Sequence, residues 1–245
     1  GEFLVADETG FERLGHLRYF PLIGGDAAAR QPWRPAAALL MECLDGRWRE
    51  VAGELDILPP NVSAELVEAM VEKRVQTIWT SSLGRVFDAV ACLIGIRRVM
   101  SFEGQAAMEL EGLCTIEHSR VLPFEIVRNR EAGLVLDLLP AVREIVRQRM
   151  QGRSAGELSG DFHLTLVHAF AAMAEEIRGL TSLNRVCLSG GCFQNRVLLE
   201  GCIEELKERG FEVYTHRLVP ANDGGIALGQ AVVAAAAGLQ QEGRK

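Results

Sequence analysis

The stretch Val186-Cys187-Leu188-Ser189-Gly190-Gly191-Cys192-Phe193-Gln194-Asn195, followed about 27 residues later by Asn222-Asp223-Gly224-Gly225, restricts what this chain can fold into more than any other part of it. A short apolar strand that runs into Ser-Gly-Gly predicts a sharp turn with uncovered backbone amides. Behind the turn, Leu198, Leu199, Cys202, Ile203 and Leu206 recur at three- and four-residue steps, which predicts a helix over residues 196–208. Gly210 stops that helix, and Glu212-Val213-Tyr214-Thr215 reads as the next strand. Strand, helix and strand then make a parallel crossover. Ligands of open α/β sheets collect beyond the carboxyl ends of the strands, where both glycine-rich bends fall, and amides at a helix start suit a phosphate. Taken singly, each bend is a common tight turn, with Asn or Asp capping a helix predicted over residues 226–239. Together on one crossover unit they favour a phosphate-handling site.

Composition sets the wider frame. With 245 residues, 48% of them hydrophobic, the chain can bury a substantial core as one large domain or two lobes. Acidic residues outnumber basic ones, 33 against 26, for a net charge of −7, so nonspecific nucleic-acid binding is disfavoured. Arg143, Arg147, Arg149 and Arg153 are the densest basic group and are expected to form one solvated helix face. No apolar run approaches a bilayer span and no export signal is readable, so no membrane partner and a cytoplasmic setting are expected. The six cysteines form no Cys-x-x-Cys pair and read as reduced, mostly buried thiols, with Cys192 a small packing residue rather than a nucleophile.

Along the rest of the chain, residues 2–6 and 12–19 predict a strand hairpin turning near Thr9-Gly10. Residues 21–34 read as a loop around Gly24-Gly25-Asp26 before an alanine-rich helix near 36–43. Helical periodicity returns over 61–73 and 84–94, with Thr80-Ser81-Ser82 as a polar loop or cap between them. Arg85 and Asp88, three apart, are spaced to pair on one helix face. A second hairpin is expected from 124–128 and 134–138, turning at residues 129–133, and helices from 140–150 and 161–178. His163 and His168 lie five apart, about 140° around a helix, and no His-x-x-x-His pair occurs. The expected fold is α/β, in three parts: a hairpin over 1–20, a largely helical insertion over 21–120 and an α/β nucleotide-binding lobe over 121–245. Its opening residues read like the middle of an element, so a fragment of a longer protein is expected.

Five ordered blocks carry a family resemblance: Gly24-Gly25-Asp26-Ala27-Ala28 with Pro32-Trp33-Arg34, the stretch from Thr80-Ser81-Ser82-Leu83-Gly84-Arg85 to Val90, Glu103-Gly104-Gln105 to Glu111, Ser189-Gly190-Gly191 to Asn195, and Pro220 to Gln230. The chain resembles the carboxyl-terminal part of the HypF carbamoyltransferases. The resemblance implies an actin/Hsp70/sugar-kinase-like lobe with a helical insertion. It also implies transfer of a carbamoyl group from carbamoyl adenylate, made from carbamoyl phosphate and ATP, to the carboxyl-terminal cysteine of HypE during nickel-iron hydrogenase maturation.

The site residues expected on this reading are Ser189, Gly190 and Gly191 on phosphate, Asn195 fixing the nucleotide, and Gly25 and Asp26 near the ribose. Ser82 and Arg85 are expected beside the acyl-adenylate cleft, Arg85 as a fork for phosphate or carbamoyl oxygen. The family also implies a divalent metal, zinc, iron or magnesium, held by two histidines and an aspartate; Asp223 matches only the aspartate. Two alternatives stay open: an antibiotic-type O-carbamoyltransferase, and a non-catalytic nucleotide-binding or HypE-docking module. A tRNA threonylcarbamoyltransferase of the same superfamily would need the basic face that this chain lacks.

Overall fold

A computed structural model describes residues 1–129, 131 and 133–242. In chain order the elements are β1 (Glu2–Ala6), β2 (Phe11–Leu17), β3 (Phe20–Ile23), α1 (Trp33–Leu44), α2 (Trp48–Glu54), α3 (Ala64–Glu72), β4 (Thr77–Thr80) and α4 (Leu83–Leu93). They continue as α5 (Gln105–Gly112), β5 (Glu125–Asn129), β6 (Gly133–Asp137), α6 (Leu139–Met150), α7 (Ala155–Thr181), β7 (Arg185–Leu188), α8 (Arg196–Glu208), β8 (Glu212–Thr215) and α9 (Ile226–Glu242). No helix among the described residues is long and apolar enough to cross a membrane.

The first hairpin turns where Asp7 Oδ1 accepts from the Thr9 and Gly10 amides, and β1 and β2 run antiparallel from there. Strand β2 then pairs in parallel with β6, and β6 antiparallel with β5, giving the order β1-β2-β6-β5. The opening hairpin and the β5–β6 hairpin therefore belong to one sheet, although more than 100 residues separate β2 from β6. Arg130 and Ala132 of the second hairpin's expected turn lie outside the described residues.

Two segments depart from expectation. The loop expected over 21–34 begins instead as β3, and the segment before Ser81 is β4; the two pair antiparallel from Phe20↔Thr80 to Ile23↔Thr77. Both strands are four residues long, too short for an alternation to register, and Pro21 masks the first; tertiary pairing decides them. The four arginines also do not share one solvated face. Arg143 donates to the Cys43 carbonyl at 2.9 Å, Arg149 stacks over Gly95, and Arg153, beyond the end of α6, pairs with the buried Asp161. Arg143 and Arg147, one turn apart on α6, keep an exposed face, whereas the loop after Met150 turns the chain before Arg153 and takes it off the helix.

The core is one contiguous cluster around α1, α4, α6 and α7. Helix α7 is its axis. Ser154 caps it in a reciprocal box with Glu157, satisfying amides at its start, and Leu158, Phe162, Leu166, Ala169 and Met173 recur on its buried face. Gly156 and Gly160, one turn apart, let the 113–115 backbone lie against it: a side chain at either would overlap the Leu113 or Thr115 carbonyl. Farther along α7, Phe170 meets Phe3 of β1 at 5.8 Å and Phe193 of the glycine-rich turn at 6.5 Å between ring centres.

Candidate functional site

Strands β7 and β8 pair in parallel from Arg185↔Glu212 to Leu188↔Thr215, with α8 as the crossover, so their next residues emerge side by side. Ser189 and His216 occupy those positions, and His216 Nε2 lies 2.9 Å from Ser189 Oγ. One residue on, the Gly190 amide donates to the Ala221 carbonyl at 2.8 Å, which ties the first bend to the second. Gly190 has φ 109° and ψ 157°, a conformation open essentially to glycine alone. The second bend is closed by Asn222, whose Oδ1 accepts from the Gly224 amide at 3.1 Å and whose carbonyl accepts from Gly225 at 3.0 Å. The bends therefore converge, with Gly191 facing the Asn222 side chain.

The donors this leaves are not quite those expected. The Gly190 amide and the Ser189 hydroxyl are already engaged within the protein. The amides of Gly191 and Cys192, first in the 3-10 turn Gly191–Gln194, have no acceptor among the described residues. Asn195 is buried, contrary to a role on the nucleotide: its Oδ1 caps α8 by accepting from the Leu198 amide at 2.8 Å, and its Nδ2 lies 2.9 Å from His163 Nε2. His163 Nδ1 meets the Ser159 carbonyl at 2.8 Å, and burial pushes the imidazole's titration down, so the ring is neutral and structural.

The other expected blocks meet this turn through α4. Ser82 stands at the N-cap position of α4 without capping it, and a side chain on Gly84 would touch Ser82 Oγ and Cys192 Sγ. Burial raises the Cys192 thiol above its usual range, which fits packing rather than nucleophilic attack. Arg85 reaches the other way. Its Nη1 donates to the Ala28 carbonyl at 3.4 Å, joining α4 to the 3-10 turn Gly25–Ala29, and its Nη2 lies 2.9 Å from Asp88 Oδ2. Gly24 and Gly25 take φ 90° and 53° there, and Asp26 points outward as an exposed carboxylate. Arg85 thus stands between the Gly25–Ala29 turn and the side of α4 that abuts Cys192.

An implied metal is not matched by the residues present. Among the described residues no three His, Cys, Asp or Glu side chains stand close enough to share an ion. Asp223 is an exposed carboxylate opening the turn into α9, one donor without companions among the described residues.

Two residues of the site escaped the sequence reading. His216 belongs to no motif in the sequence, yet its position directly after β8 mirrors that of Ser189 after β7, which the parallel crossover already implies. Asp88 was legible as a partner for Arg85 on one helix face. Its side chain is 1% exposed, because α4 is buried on nearly every side from Val86 to Leu93.

The chain matches the family described as carbamoyltransferase, Kae1-like domain, second subdomain, over residues 1–230. It is 39% identical to carbamoyltransferase HypF2 of Cupriavidus necator and 39% identical to carbamoyltransferase HypF of Rhizobium leguminosarum, over 96% and 94% of its length. It spans only about 30% of those relatives, 31% and 29% respectively. Among solved structures, a full-length HypF in a phosphate- and nucleotide-bound form superimposes with a TM-score of 0.86 at 39% identity, covering 95% of this chain and 30% of that one. HypF of T. kodakarensis superimposes with a TM-score of 0.81 at 27% identity, covering 99% and 32%. The HypF-like α/β fold is thereby established, and the chain belongs to the carbamoyltransferase Kae1-like second-subdomain family.

Proposed function

We propose that this chain is the part of a HypF-type carbamoyltransferase that cradles carbamoyl adenylate while the carbamoyl group passes to the carboxyl-terminal cysteine of HypE, in nickel-iron hydrogenase maturation. The observation that carries this reading is the Gly190-to-Ala221 hydrogen bond, which fixes two glycine-rich bends at the carboxyl ends of parallel strands. The unpartnered amides of Gly191 and Cys192 suit a phosphate, and Arg85, whose charge acts on Cys192, supplies the opposing charge. On the adenylate, the acceptor thiolate attacks the carbamoyl carbon, the bond from that carbon to the phosphate oxygen breaks, and AMP leaves with the electron pair. Residues here position the phosphate and stabilise the charge that it gains. The nucleophile comes from the acceptor. The six free thiols, Cys187 exposed among them, fit a reducing cytoplasm.

Calorimetry with AMP tests the reading. Binding is expected, with Arg85→Ala weakening it about tenfold or more. No binding, or an affinity indifferent to Arg85, would overturn the nucleotide site. Binding without turnover of carbamoyl adenylate in a complete enzyme would make this a docking module instead.

A further inference from the structure

Asp88 takes no part in the cradle as described, yet its surroundings are unusual for a carboxylate. It sits on α4 one turn after Arg85, with a side chain 1% exposed, and both of its oxygens are buried without a hydrogen-bond donor among the described residues. Its contact with Arg85, 2.9 Å from Nη2 to Oδ2, is an ion pair off the hydrogen-bonding angle. The other charge-bearing groups that act with it are Glu103, from the segment before α5, and Cys192, from the 3-10 turn. Among the described residues, Glu103 opposes its ionisation and Arg85 favours it. Desolvation, partly offset by Arg85, pushes Asp88 up to about 6.

A guanidinium side chain 15% exposed, with one arm on Ala28 and one on Asp88, offers an arriving anion few N–H groups that are not already committed. A phosphate that draws Nη2 toward itself weakens the tie to Asp88 and adds a negative charge beside a carboxylate with no other support. Ionised Asp88 then opposes the ligand, and protonated Asp88 does not.

We propose, on the adenylate reading above, that Asp88 is the positioning residue of Arg85 and its exchangeable counter-anion: when an adenylate phosphate takes over the guanidinium, the Asp88 carboxylate takes up a proton from solution. Nucleotide binding is coupled to proton uptake at a residue that the ligand does not touch. Binding is consequently tighter below the titration range of Asp88 than above it.

The test uses the methyl ester of AMP, whose single phosphate charge is constant across the range and matches the monoanionic phosphate of an acyl adenylate. Calorimetry in buffers of different ionisation enthalpy reads protons taken up on binding, and carboxyl-carbon NMR of the unsubstituted chain reads the titration of Asp88. If the ligand moves Asp88 from about 6 to about 7, uptake at pH 7 is about 0.4 proton and affinity is about fivefold weaker at pH 8 than at pH 6. Asp88→Asn, nearly the same shape, should abolish both effects while still binding the ester. Titration of Asp88 in the ordinary carboxylate range in the free chain overturns the proposal without any ligand or variant. Binding that weakens with Arg85→Ala but takes up no proton overturns it and leaves the nucleotide reading standing. Absence of binding overturns both.

Discussion

The amide of Gly190 donates to the carbonyl of Ala221 at 2.8 Å, so two bends more than 30 residues apart in sequence are held by a single backbone contact. That contact depends on a backbone shape which no residue with a Cβ takes readily. A methyl group at position 190 would meet nothing within 4 Å. Gly190→Ala should therefore lower stability by about 1 to 3 kcal/mol through strain alone, and thermal unfolding reads that loss. Binding of AMP should fall further than stability does, because the neighbouring amides at Gly191 and Cys192 turn with it.

Two glycines of α7 predict opposite outcomes. Gly160→Ala drives a methyl into the Thr115 carbonyl and should cost about 3 kcal/mol. Gly179→Ala meets nothing within 4 Å and should raise stability by about 0.5 to 1 kcal/mol. Denaturant unfolding of the pair checks whether the close approach at 160, rather than helix propensity, governs this face.

Asn195 holds α8 and His163 with opposite ends of one side chain. Asn195→Ala should cost about 2 kcal/mol by removing the cap and leaving His163 Nε2 without its donor. Asn195→Asp keeps the cap acceptor but sets a carboxylate against the ring nitrogen. NMR titration of His163 should then move upward, against the lowering that burial now imposes.

Asp88 makes stability depend on pH in a defined direction. Its folded titration near 6 lies above the ordinary 3.8, so between these values the native state binds more protons than the unfolded chain. Its contribution is thus most favourable below about 4 and is lost as pH rises through about 6. Asp88→Asn does not titrate. The stability of Asp88→Asn relative to the unsubstituted chain should therefore climb by about 2 kcal/mol from pH 4 to pH 7 and then level off, as urea unfolding at several pH values would show.

Much of the crossover unit was legible because its signals are local. The apolar spacing of Leu198, Cys202 and Leu206, with Gly210 beyond, is sufficient to specify α8, and β8 falls on the four residues expected. Strands β3 and β4 were not legible, since each is defined by a partner more than 50 residues away rather than by its own pattern. The same division runs through the site. Glycines that relieve a local turn announce themselves, as at Gly190 and Gly25. Whether a polar atom faces outward or inward depends on packing: Asn195 reads as a ligand contact in sequence and is turned inside by His163, whereas Asp88 reads as half of a helix-face ion pair and is shut in by the core.

Phe170, set between Phe3 on one side and Phe193 on the other, behaves as a shared spacer. Phe170 separates the opening hairpin from the turn that follows Ser189, and neither neighbour can be re-spaced without disturbing the other. Bulk at positions 3, 170 and 193 is consequently a joint property: compensating exchanges across the three should be tolerated where each exchange alone is not.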